Sequence, residues 1–131
     1  MIGLDTNVLV RYAAQDDPEQ SALADRAIEA FTEDAPGFVS AVVLAECTWV
    51  LRRVYRVGTP EIAAFVRHLL AAREIVVERT DAVRRALAAT DGDERFTDSL
   101  IFEIGIDAGC EYTLTFDRRA AELPGSLRLT P

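Results

Sequence analysis

A chain of 131 residues that is 50% hydrophobic and 27% charged has the size and composition of one soluble globular domain, able to bury a core without disulfides or metal to hold it. Its formal charge of −8 argues against a protein that grips nucleic acid through a broad basic face, and because all 14 positive residues are arginine, every mechanism needing a lysine ammonium is excluded, the P-loop among them. No apolar run approaches the roughly 18 to 20 residues of a membrane span, and the start has no basic leader or cleavable apolar stretch, so a cytoplasmic protein without membrane contact is expected.

Hydrophobic periodicity predicts, in chain order, a strand at 1–4, helices at 6–14 and 18–31, a strand near 38–39 and a helix at 41–55. A helix at 60–72 capped by Thr59, a strand at 75–78, helices at 81–89 and 97–108, a strand at 112–116, a short helix at 118–123 and a last strand at 126–129 complete the series. The polar breaks at 33–37 and 91–94 are loop-sized, and there is no linker or repeat, so a single domain over 1–131 is expected. Strands separated by helical crossovers imply an α/β fold, a mostly parallel sheet with helices on both faces, and residues 1–4 are expected to be its buried central strand. Such sheets bind ligands outside the carboxyl ends of their strands.

Four carboxylates fall where that edge is expected. Asp5 follows the first strand directly, in the polar break Asp5-Thr6-Asn7 between two apolar stretches; as a helix cap it also has an ordinary explanation. Asp117 ends the strand "YTLTFD" in the same way, with a turn acid as the alternative. Glu46 lies one helical turn from Val42, Val43, Trp49 and Val50, on a face expected to point at the core, where an ionised carboxylate is costly unless it pairs with a residue such as Arg26 or Arg53 or holds a metal. Asp98 opens a helix whose Ile101, Phe102, Gly105 and Ile106 form the expected inward stripe; the alternative is a favourable helix-dipole acid worth about 0.3 to 1 kcal/mol.

Four such acids brought together would repel one another and raise one another's pKa. A cation belongs among them, and an all-oxygen set without His or Cys selects Mg²⁺ or Mn²⁺ over zinc. A cation of that kind supports in-line attack of water on a phosphodiester.

The segments "DTNVLV", "LAECTWVL" with Glu46, "FTDSLI" with Asp98 and "TLTFDRRAAELPG" with Asp117 resemble, in order and over the whole chain, the PIN-domain ribonucleases, and more narrowly the VapC-type toxins of bacterial and archaeal toxin–antitoxin pairs. The resemblance implies a PIN-like (Rossmann-like) α/β/α sandwich whose mostly parallel central sheet has four to five strands flanked by helices. It implies a homodimer with Mg²⁺- or Mn²⁺-dependent endoribonuclease activity, often on tRNA or rRNA, and a cognate VapB-like antitoxin whose C-terminal segment blocks the acidic pocket. By position, Asp5, Glu46, Asp98 and Asp117 would be the metal-binding and catalytic acids, with Thr6, Asn7 and Thr115 as supporting polar groups. The chain departs from the pattern at Arg119, where many relatives carry another acid, and at Arg95, where many have an acidic or small residue. Those departures bear on a second metal position.

Other residues carry weaker signals. Arg11, Arg53, Arg118 and Arg119 put positive charge near the acids and are candidate contacts to an RNA backbone, since a guanidinium fits phosphate bidentately. His68 stands far in sequence from every acid and is read as non-catalytic, and Cys47 and Cys110 as reduced structural thiols. Trp49 and Phe65 are expected in the core or at a dimer contact. The helices 41–55 and 60–72 are apolar on more than one face, which points to a buried subunit or antitoxin interface.

Overall fold

The β-branched run Ile75-Val76-Val77 makes one strand of the amino-terminal half, and Ile2 and Val39 contribute a β-branched residue to each of the other two. The computed structural model describes all 131 residues, which form two compact units, Met1–Glu78 and Arg79–Pro131.

In the first unit β1 (Ile2–Gly3), β2 (Gly37–Val39) and β3 (Ile75–Val77) pair in parallel, in that order, with Ile2 opposite Gly37 and Gly37 opposite Ile75. Four helices connect them: α1 (Thr6–Ala14), α2 (Pro18–Glu29), α3 (Ala41–Arg53) and α4 (Thr59–Ala71). β2 is the middle strand, so residues 1–4 are not the buried centre expected from their apolarity: β1 has a sheet partner on one side only, Met1 and Ile2 are exposed, and Leu4 alone is buried. Gly37 can occupy the middle strand because Phe31 lies across it; any Cβ there would collide with the ring.

Side-chain caps set the starts of two of the six helices. Asp17 and Ser40 cap α2 and α3 by accepting from the Gln20 and Val43 amides, at 2.9 and 3.1 Å. Thr59, expected as the cap of α4, lies inside the helix instead, because its hydroxyl takes the Arg52 guanidinium at 3.0 Å and Gly58 serves as cap. α3 buries Leu44, Cys47, Thr48 and Leu51, one stripe at helical spacing, and the buried Cys47 thiol is pushed up to about 12 by burial first and by neighbouring Glu46 second, which makes it inert. Cys110 is exposed and so has no packing role.

In the second unit α5 (Thr80–Thr90) and α6 (Phe96–Asp107) pack against one another, and β4 (Thr113–Thr115) and β5 (Ser126–Arg128) pair in parallel, joined by a 3-10 turn at Ala120–Glu122. Phe102, Ala120 and Leu123 form one buried cluster. The α/β character and the parallel pairing are as expected, with the five strands pairing as three plus two. α6 presents a different face from the one expected: Phe96, Ser99, Leu100, Phe102 and Glu103 are buried, whereas Ile101 and Ile106 are exposed. One residue of the buried face is an acid, and it is paired. Arg85 on α5 reaches Glu103 at 2.7 Å and Asp107 at 2.6 Å, so the two acids one turn apart on α6 share a guanidinium that makes burial of Glu103 tolerable. No helix is long and apolar enough to cross a membrane.

Removing the guanidinium leaves Glu103 buried without a counterion. Arg85→Met is expected to lower unfolding stability, less than for a fully buried pair because the arginine is partly solvated, and a second change, Glu103→Met, should restore most of that loss. Urea titrations of the two variants measure it; a single variant as stable as the parent would contradict the assignment.

Candidate active site

Asp117 and Asp98 are delivered to the second unit's site by short, specific constraints. The strand β4 ends at Thr115, whose hydroxyl accepts from the Asp117 amide at 3.0 Å, and Asp117 Oδ1 in turn accepts from the Ala120 amide at 2.9 Å. One carboxylate oxygen thus holds the turn and the other is left outward. Thr115, expected as a supporting group, does support: it fixes the backbone that carries the acid.

Asp98 sits in the first turn of α6, half-buried. Burial, and then the charge of Asp117, raise its pKa above the ordinary carboxylate value even at the favourable amino end of a helix. The Ser99 hydroxyl beside it in sequence is fully buried and has no hydrogen-bond partner.

The first unit holds the other two acids. Asp5 occupies the cap position of α1 in extended conformation, yet its side chain makes no capping bond, so helix capping does not account for the carboxylate. Thr6 is buried just inside the helix, and Asn7 is exposed at the mouth of a pocket of about 310 Å³ that Val8, Leu23, Ala24 and Ala27 line. Glu46 is exposed between Val42 and Trp49 on the outer face of α3 and does not point at the core, because the buried stripe begins at Leu44 and Glu46 is out of phase with it. The salt bridges to Arg26 or Arg53 that would have explained it are not formed, and Trp49 at 55% exposure is not a core residue.

The four arginines divide evenly. Arg11 is committed within the first unit, donating to Tyr55 Oη and to Gln20 Oε1, both at 2.7 Å, and lying 3.4 Å from Asp16. Arg119 is bonded to Glu94. Arg53 and Arg118 are exposed with no ion pair. His68 shares a hydrogen bond of 3.1 Å with the Tyr12 hydroxyl on the exposed side of α4.

Three further acids, Asp93, Glu94 and Glu122, belong to the surroundings of the pair, although only the run "DGDER" hinted at them in the sequence. Asp91 and Gly92 both adopt left-handed backbone, turning the chain sharply after α5 so that Asp93 and Glu94 precede α6. Arg95 grips Asp93 through Nε and Nη2, at 3.3 and 3.0 Å, and approaches Glu122 at 3.9 Å. Burial opposes the charge on Asp93, but the Arg95 bonds win and lower its pKa; Glu94 is lowered by a backbone hydrogen bond and by Arg119.

No three His, Cys, Asp or Glu side chains are closed into a ready-made metal cage. The Asp98 and Asp117 pair nevertheless fits a hard divalent cation of the magnesium type, which keeps several waters and needs only one or two carboxylates from the protein. Two oxygen donors that repel each other, without His or Cys, do not suit zinc.

The PIN domain family model matches residues 2–126, and the chain belongs to that family. PIN domains are commonly metal-dependent nucleases that cleave RNA or DNA. No curated protein matches the chain.

The repulsion predicts its own signature. Asp98→Asn should stabilise the metal-free protein by up to about 1 kcal/mol, because it removes a partly desolvated charge facing another. Urea unfolding in the presence of a chelator reads this out, and a loss of stability would contradict the electrostatic picture.

Proposed function

We propose that the protein is a Mg²⁺- or Mn²⁺-dependent endoribonuclease of the VapC type, the toxin of a toxin–antitoxin pair, acting on tRNA or rRNA in the cytoplasm. The observation that carries the reading is the Asp98 and Asp117 pair, held at the start of α6 and the end of β4 in a PIN domain with no cationic side chain on either acid.

Asp98 and Asp117 hold the cation through their carboxylate oxygens, and Asp5 and Glu46 are the further acids assigned to the reaction. The cation, when bound, supplies charge to the phosphoryl oxygen and acidity to a bound water. Asp98 carries a proton-accepting oxygen at the head of α6, Thr115 keeps Asp117 in its turn, and Thr6 and Asn7 support the segment bearing Asp5. Arg53 and Arg118, whose guanidinium groups are unpaired, are the better placed of the arginines to engage RNA phosphates; Arg11 and Arg119 would first have to leave Tyr55 and Glu94. The exposed Val42 and Trp49 on α3 support an apolar contact surface, read as the homodimer or the antitoxin interface.

Incubating the protein with total RNA in Mg²⁺ should produce fragments with 5′-phosphate and 3′-hydroxyl ends, and chelation should stop it. Asp98→Asn should reduce the rate more than about a hundredfold, and Thr115→Val about ten- to a hundredfold, since it loosens a ligand without removing it. Cleavage by Asp98→Asn at the parent rate would refute the proposal. Cutting of a DNA oligonucleotide in preference to RNA of the same sequence would retain the metal site and overturn the substrate.

A further inference from the structure

We propose that the cavity between α1 and α2 is a base-binding pocket that takes one unstacked nucleobase of a single-stranded RNA. This rests on the proposed action on RNA and adds to it a recognition element built from residues other than the paired acids.

The cavity follows from the sequences of the two helices. Val8 and Arg11 stand one turn apart on α1, and Leu23 and Ala27 one turn apart on α2 beside Ala24, so both helices turn these residues to a common groove. The Ser21 hydroxyl donates to the Arg11 carbonyl at 3.2 Å and fastens the helices side by side. Two alanines leave open a space of about 310 Å³, at the lower end of the roughly 300 to 1,000 Å³ usual for small-molecule pockets. Val8, exposed Leu23 and the alanines offer apolar surface to the face of a flat ring.

The polar groups of the lining are the side chains of Asn7, Arg11 and Gln20. Arg11 Nε donates to Gln20 Oε1 at 2.7 Å while its Nη1 donates to Tyr55 Oη at 2.7 Å, so the guanidinium plane is fixed and the Gln20 amide is oriented with its oxygen engaged. The Nε2 donors of Gln20 are left for a ligand, and exposed Asn7 adds an amide that both donates and accepts. Apolar surface edged by amides is the complement of a nucleobase, which has an apolar face and a rim of carbonyls, amines and ring nitrogens. Asn and Gln side chains read base edges in this way, and guanidinium planes stack on bases. An apolar side chain from a protein partner would fill the space and use none of these groups.

Charge agrees. In a chain of net charge −8 this pocket has no acid in its lining and one guanidinium; Asp16, 3.4 Å from Arg11, lies outside the lining. Asn7 comes two residues after Asp5, so the pocket begins in the turn of α1 that Asp5 precedes. A base seated there would set the register of the RNA against that acid, and sequence preference would come from the pocket, since contacts to bases and not to the backbone carry it.

Nuclear magnetic resonance titration of the isotope-labelled, metal-free full chain tests this, with the 5′-monophosphates of adenosine, cytidine, guanosine and uridine and with ribose 5-phosphate as probes. At least one nucleotide should shift the side-chain amide signals of Asn7 and Gln20 saturably, and ribose 5-phosphate should leave them in place. Ala27→Phe, which fills the cavity from an exposed position, and Gln20→Leu should each weaken that nucleotide by about tenfold or more. Thermal melts identify a variant that fails to fold, and the other then carries the test. Equal shifts from ribose 5-phosphate, or saturation of the pocket by N-acetyl-leucinamide with no nucleotide bound, would overturn the proposal in favour of a phosphate or a protein partner, and cleavage of RNA by the parent would stand. Nucleotide binding in the pocket of a parent that cuts no RNA in Mg²⁺ would remove the nuclease reading and leave the base pocket.

Discussion

Two carboxylates kept close together without a counterion are the constraint around which the carboxyl-terminal unit is arranged. Repulsion and partial burial both disfavour the ionised Asp98 opposite Asp117, and a fold does not retain such a pair for stability. What keeps them in place is local and strong: the Thr115 hydroxyl on the Asp117 amide, the Asp117 carboxylate on the Ala120 amide, and a helix whose first turn has only one place for Asp98. The proposed cation would relieve this disfavoured arrangement by supplying the missing positive charge.

The handling of neighbouring charge sharpens the contrast. In the same unit Arg85 satisfies Glu103 and Asp107, Arg95 satisfies Asp93, and Arg119 satisfies Glu94. No ion pair is formed by Asp98 or Asp117. A net charge of −8 therefore says little about the site, because the charges that matter are sorted locally. The first unit shows the same economy at Asp5, a cap position whose carboxylate caps nothing, beside Asp17 and Ser40, which do cap their helices.

Secondary structure was legible in the sequence because short apolar or β-branched segments such as Ile75-Val76-Val77 alternate with helical stretches, three of which are bounded by Asp17-Pro18, Ser40 and Thr59-Pro60. The positions of Asp5, Asp98 and Asp117 were legible too, since each follows a strand or opens a helix, whereas Glu46 lies within α3 and its direction was not. The inward faces of α3 and α6 were not. Val42, Val43, Leu44, Val50 and Leu51 surround α3, and Ile101, Phe102, Ile104 and Ile106 surround α6, so periodicity alone selects no face. Tertiary contacts decide it: α6 buries Phe96, Leu100 and Phe102 with Glu103 paired to Arg85 among them and leaves Ile101 and Ile106 partly exposed, and on α3 the stripe through Leu44 and Cys47 leaves Glu46 outside. Likewise the pairing of Arg95 with Asp93 and of Arg119 with Glu94 depends on the left-handed turn at Asp91-Gly92, which a sequence announces without saying which side chains it will join.

The central claim is that Asp98 and Asp117 together hold a divalent cation. Crystals grown or soaked in Mn²⁺ and measured at the manganese absorption edge test it most directly. The account predicts an anomalous peak within coordination distance, about 2.0 to 2.6 Å, of a carboxylate oxygen from each of the two residues. A map with manganese bound elsewhere on the chain and none between Asp98 and Asp117 would contradict it.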